Sequence, residues 1–283
     1  MRLDMTHSGR TRDSLVTPAD ARTFDLMLQL RLQLVRCEPT SHFNVMGTWC
    51  GGNGILHDEF GNFHLQPWTE REWNAYRSNI VAIIMRYWDR KFELTPSRPW
   101  YLRRAGEAAV AARFTCSLSL QLVETAGHAH HRYFIIKPQE TTFRSFANRE
   151  ARRGMFTDRD LSLMRTTRQT RMGTVDHSVT FYQSTILHEF GHTLGLHHIA
   201  GDHDGSAAYG TTLQQRHDIM GLGSDASVRA ARPWISQLRH HLRPARGEAP
   251  LTFTARVVAP PLITYWDNDW APPAAAAAGH AAP

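Results

Sequence analysis

Phe24-Asp25-Leu26-Met27-Leu28-Gln29-Leu30-Arg31-Leu32-Gln33-Leu34 is the stretch on which the architecture turns. Phe24, Leu26, Leu28, Leu30, Leu32 and Leu34 point one way, with Asp25, Gln29, Arg31 and Gln33 opposite. Side chains of an extended chain alternate between two faces, so this period of two predicts a long strand with one buried face.

Further along, the period changes. The glycine-rich segment with Gly47, Gly51, Gly52 and Gly54 lacks the order of a phosphate-binding loop and reads as a turn or flexible rim. Thr69 to Glu72 forms a capping box, and Trp68 and Trp73 are spaced as a hydrophobic staple, so a helix is expected to start there. Its stripe of Trp73, Tyr76, Ile80, Ile83, Ile84 and Tyr87 runs to about Asp89, with Arg86, Arg90 and Lys91 suited to its C-terminal end. Phe114, Cys116, Leu118, Leu120 and Leu122 alternate with polar residues, and Tyr133 to Ile136 make a second apolar run, which suggests a hairpin. Its connection carries His128, His130 and His131, expected at a solvated tip. Residues 144 to 172 are basic with little apolar pattern and are expected to form a surface excursion with one short helix near Asp158 to Met164. Val175 to Tyr182 reads as a last short strand, and Pro233 to Leu242 as a closing helix with Pro near its first turn.

The chemistry is concentrated in His188-Glu189-Phe190-Gly191-His192-Thr193-Leu194-Gly195-Leu196-His197-His198, an unbroken H-E-x-x-H-x-x-G-x-x-H. His188 and His192, four apart on a helix, lie about 6 Å apart along the axis and roughly 40° apart around it, so both imidazoles can reach one metal ion. His197 is taken as the third ligand. Continuing the helix would turn it roughly 140° away from His192, so the chain must turn sharply first, and Gly195 permits the left-handed residue such a turn needs. Asp202, His203, His198 and His217 are its rivals, and Asp202 with Asp204 could alternatively bind calcium or serve only as turn residues. Three neutral imidazoles leave a fourth position on zinc for water, whose pKa falls from about 15.7 to about 7, and Glu189 is placed to take its proton as general base.

These residues resemble the zinc motif of the metzincin peptidases, in which a Met-containing turn lies beneath the metal. Asp218-Ile219-Met220-Gly221 is the matching candidate, with Met220 as a polarizable apolar floor. The match covers roughly residues 175 to 245. It departs from several metzincins at Leu222, where some use a tyrosine to support the transition state, and Tyr209 from the preceding loop is the candidate replacement. Arg36-Cys37 resembles the thiol that blocks zinc in latent metzincins, but its flanks do not match. The resemblance implies a mixed α/β fold: a twisted sheet with a long early helix and the zinc helix packed on one side. It also implies a zinc-dependent peptidase whose extended substrate adds to a sheet edge. A second resemblance is to peptidase domains at the C-terminus of VgrG-type spike proteins of bacterial type VI secretion systems. It would imply an antibacterial effector, part of a larger spike, injected by a non-Sec route to act in a rival's periplasm.

Composition narrows the remaining choices. The 283 residues, 42% of them hydrophobic, can bury a sizeable core. One catalytic domain over 21–245 is expected, preceded by a flexible segment 1–20 and followed by an extension 246–283 whose Ala/Pro-rich end, 271–283, has low complexity. No apolar run is long enough for a membrane span, and the first twenty residues lack the apolar core of a signal peptide. The 32 basic residues, all but two of them arginine, outnumber 26 acidic ones for a net charge of +6, yet they are scattered and accompany no nucleic-acid motif, so no specific nucleic-acid partner is expected, and the resemblance implies a protein or peptide substrate. Cys37, Cys50 and Cys116 allow at most one disulfide. The competing expectations are a catalytically dormant, zinc-stabilised binding module and a zinc amidase acting on cell-wall peptide.

Overall fold

The computed structural model of the chain describes residues 2–102, 107–172, 175–201, 206–244 and 247–258. Two short strands, β1 (Arg2–Leu3) and β2 (Thr6–His7), lead into β3 (Asp13–Pro18) and then β4 (Thr23–Arg36), the strand expected from the alternation. Phe24, Leu26, Leu28, Leu30 and Leu32 are each at most 2% exposed, worth roughly 1.5–3 kcal/mol apiece relative to exposure. The opening segment is thus not a loose tail: β3 pairs antiparallel with the first half of β4, from Pro18 opposite Phe24 to Asp13 opposite Gln29.

The glycine-rich region forms a separate four-stranded antiparallel sheet, β5 (His42–Val45), β6 (Thr48–Gly51), β7 (Ile55–Asp58) and β8 (Gly61–His64). Helix α1 (Glu70–Trp88) follows. Its capping box is present in full, with the Thr69 hydroxyl accepting from Glu72 N and the Glu72 carboxylate accepting from Thr69 N, while the Trp68 and Trp73 rings meet edge to face at 5.6 Å. Trp73, Tyr76, Ile80, Ile84 and Tyr87 are buried against the sheet, as their spacing predicts.

Next come β9 (Phe92–Pro96), β10 (Arg113–Leu122), β11 (His131–Ile136), β12 (Phe146–Asn148) and β13 (Arg153–Thr157). β10 and β11 are not a hairpin. Both run parallel to β4, on opposite sides of it: β10 pairs from Thr23 to Leu32 and β11 from Leu32 to Arg36. One ends at the level where the other begins, so a short connection crosses the strand between them. Alternation marks a strand but carries no information about its neighbour. That connection is solvated only in its first part, residues 124–128, which include His128. His130 and His131 are buried, His130 Nδ1 accepting from Arg31 N and His131 Nε2 donating to Thr11 O.

The basic segment also folds differently from expectation. Residues 158–162 form no helix, and β13 is an interior strand, parallel to β11 and antiparallel to β12, with Met155 and Phe156 fully buried. The main sheet therefore runs β12-β13-β11-β4-β10-β9 and ends on β17 (Phe253–Val257), with β12 an antiparallel edge. β14 (Leu163–Met172) and β15 (Val175–Ser184) make a long two-stranded hairpin that feeds helix α2 (Thr185–Thr193). Helix α3 (Leu213–His217), helix α4 (Arg232–His241) with proline in its first turn, and β16 (Leu242–Arg243), which pairs with β1, precede β17. The architecture is mixed α/β, a large mixed sheet with few helices. Within one core cluster, Trp88 of α1, Phe190 of α2 and Trp234 of α4 join the apolar face of β4. The three cysteines are free and buried. The Ala/Pro-rich end lies outside the described residues, and no helix among those described is long and apolar enough to cross a membrane.

Thr69→Ala removes the hydroxyl from the α1 cap and is expected to lower stability by about 1 kcal/mol in urea unfolding, with Thr69→Ser largely restoring it. Equal loss in both variants would show that the cap contributes nothing.

Candidate metal centre

Helix α2 begins where β15 ends, at Ser184, and carries His188 and His192 on one side with ring centroids 5.0 Å apart. Both rings are oriented through Nδ1. His188 Nδ1 donates to Ile219 O at 2.7 Å and His192 Nδ1 to Leu196 O at 2.9 Å, which leaves both Nε2 atoms free of those backbone bonds. Such an outer partner fixes the tautomer and aim of a metal-binding imidazole. Burial, reinforced by the nearby His192, lowers the His188 pKa to about 3, so its ring is neutral, as a metal ligand requires.

The helix ends at once. Gly195 adopts φ +90, its N–H bonding His192 O and the Leu196 N–H bonding Gly191 O, the paired bonds of a Schellman motif. Buried Arg12 adds a third contact, donating to Leu194 O at 2.7 Å. Beyond the turn Leu196 is buried, His197 exposed and His198 turned back, the alternation of a chain that has left the helix.

The third ring in the cluster is consequently His198 and not His197. One ring nitrogen from each of His188, His192 and His198 lies within 4.8 Å of the others, and His192 Nε2 is 3.2 Å from His198 Nε2. Two imidazoles sharing a tetrahedral zinc, with bonds of about 2.0–2.1 Å, hold their nitrogens about 3.3 Å apart. His198 is also the eleventh residue of the motif, three after Gly195, whereas His197 is the tenth. Arg229 holds the His198 backbone by donating to its carbonyl at 3.2 Å. Of the rivals, His217 packs on Phe181 outside the cluster, and Asp202, His203 and Asp204 lie outside the described residues.

Met220 sits under the helix, 3% exposed. A Cβ at Gly191 would lie 2.4 Å from its Sδ, so the close approach of turn and helix depends on glycine there. Asp218 shapes the turn, accepting from Met220 N at 2.8 Å, and Gln183 donates its amide to Gly221 O at 2.9 Å while lying 3.1 Å from His188 Nδ1. The Tyr209 ring is 4.5 Å from His198 and 5.9 Å from His188, placing it beside the cluster. Glu189, half-buried, accepts from Ala147 N of edge strand β12 at 2.8 Å. Burial raises its pKa to about 8, against the lowering effect of that hydrogen bond.

Gly191, Gln183, Asp218, Arg12 and Arg229 all support the cluster, yet none carries a sequence signal for that role. Only Gly191 could have been noticed, as a helix-disfavouring residue inside a helix.

When the protein is loaded with zinc, His198→Ala is expected to lose tight metal binding in a chelator competition while His197→Ala keeps about one equivalent; the opposite pattern would restore His197 as ligand. Gln183→Ala should weaken affinity by about tenfold, the scale of an outer-shell loss. No family model matches the chain, and neither a curated protein nor a solved structure is detectably similar to it.

Proposed function

We propose that this chain is a zinc-dependent metallopeptidase of metzincin type, with His188, His192 and His198 as ligands and Glu189 as general base. The observation that carries the reading is the convergence of three imidazoles beside a carboxylate that itself touches an exposed sheet edge. Zinc, when bound, would polarise the scissile carbonyl and acidify the attacking water. The residues fit such an ion: both helix histidines present Nε2 with Nδ1 already committed, and His192 Nε2 and His198 Nε2 stand at the separation of a shared ligand sphere.

Glu189 takes the proton of the attacking water on its carboxylate and returns it to the nitrogen of the cleaved bond. β12 supplies the substrate bed. Among the described residues its outer side has no strand partner, so an extended peptide can add there and bring its carbonyl toward the histidines. Met220 closes the floor, and Tyr209, its ring 4.5 Å from that of His198, is the candidate to donate to the developing oxyanion.

Glu189→Gln should keep zinc and lower peptide hydrolysis by about 10²–10⁴-fold, the range expected for loss of a general base. Undiminished hydrolysis of casein by the zinc-loaded variant would remove Glu189 from this role. Failure of the wild-type protein to cleave casein or a peptide library at any zinc loading would remove the peptidase reading itself.

A further inference from the structure

The small sheet β5–β8 has no part in the metal centre, yet two of its three hairpin tips, those joining β5 to β6 and β7 to β8, line a cavity with edge strand β12. The cavity measures about 520 Å³, with Met46 and Phe60 on one wall and Arg144, Phe146 and Ala147 on the other. The second wall is continuous with the site, because Ala147 N is the donor to Glu189.

Both tips carry a large apolar residue, and Met46 does so at a backbone position that favours others. Met46 and Gly47 form the two-residue loop between paired Val45 and Thr48, at φ 55 and φ 96. Loops with both central residues at positive φ favour Asn-Gly or Gly-Gly, and an unbranched apolar side chain gains nothing there from the backbone. Met46 is nevertheless 51% exposed. Phe60, 57% exposed, occupies the tip between paired Asp58 and Gly61, where the Asp58 carboxylate accepts from Phe60 N and Gly61 N. Two large apolar side chains held out on separate tips, one of them at a backbone cost, and facing one cavity are the mark of a surface kept for a ligand.

Resting on the peptidase reading, we propose that this cavity is a specificity subsite that takes a large apolar side chain, aromatic or long aliphatic, of the peptide laid along β12. The occupant follows from continuity: a strand added to β12 directs alternate side chains toward one wall or the other, and the cavity opens beside the residues that bed it. The charged groups lining it are of both signs, Asp58 and Glu59 against Arg144, whose guanidinium lies over the Phe60 ring at 5.4 Å. These leave a single excess negative charge, so apolar area is the proposed selector and the lysine peptide in the test is its control.

The test compares zinc-loaded wild type with Met46→Gly and Met46→Gly/Phe60→Ala on quenched peptides that differ only in carrying Phe, Leu, Ala or Lys at each position around the cleaved bond. Wild type should prefer Phe or Leu at one fixed position, and the double variant should lose about tenfold in kcat/KM on those peptides while the Ala peptide is unaffected. Met46→Gly suits its own backbone conformation and should melt no lower than wild type, so it carries the test alone if Phe60→Ala fails to fold. Unchanged selectivity in the variants, or no apolar preference in wild type, overturns the subsite. Binding of the same peptides to Glu189→Gln, read by fluorescence anisotropy, separates the two ideas. Apolar peptides bound selectively but never cleaved would sink the peptidase reading and leave the subsite standing, and peptides neither bound nor cleaved would sink both.

Discussion

Three imidazoles can share one point only if the helix that carries two of them stops before it carries the third away. The glycine at 195 makes that stop, and the two backbone bonds that close it do more than end a helix. They bring the Leu196 carbonyl round to accept from His192 Nδ1, so the element that reverses the chain also aims a ring already in place. His188 is aimed from the other side by Ile219, the residue before Met220. Helix, reversal and methionine turn thus constrain one another through backbone carbonyls, and displacing one would misdirect the rings held by the others.

The rest of the fold keeps this arrangement in place. Tyr133, on β11 and fully buried, hydrogen bonds the Thr193 hydroxyl at the end of the helix, tying it to the middle of the sheet. Arg12 reaches the Leu194 carbonyl from the N-terminal segment, just before β3, whose pairing with β4 anchors that segment to the sheet. Keeping that guanidinium buried has a cost, visible in a pKa lowered to about 10 by burial and by nearby Arg149. The edge strand enters the same network through Ala147 and Glu189, so the proposed base and the proposed peptide bed are positioned by one hydrogen bond.

Much of this was legible in advance where the information is local. The β4 alternation, the Thr69 capping box, the Trp68–Trp73 staple and the need for a sharp reversal at Gly195 depend on residues a few positions apart, and each appears as its spacing requires. The third ring is legible too, since the motif specifies the third residue after the glycine, which is His198 and not His197. The supposed hairpin of β10 and β11 and the supposed helix near Asp158 failed. The first depended on a pairing partner, and β10 and β11 both pair with β4, far earlier in the chain, whereas residues 158–162 are the turn that joins β13 to the β14–β15 hairpin.

By itself, then, the sequence determined which segments extend, where the long helix starts, and which residues could bind a metal, because these follow from short-range periodicity and side-chain chemistry. Tertiary structure alone decided that β4 lies between two parallel neighbours, that Gly191 must admit Met220, that Gln183 and Arg229 brace the rings, and that a small separate sheet overhangs the edge strand beside Glu189. These are contacts between residues far apart in the chain, and they exist only after burial of a shared apolar face has fixed which elements lie against one another.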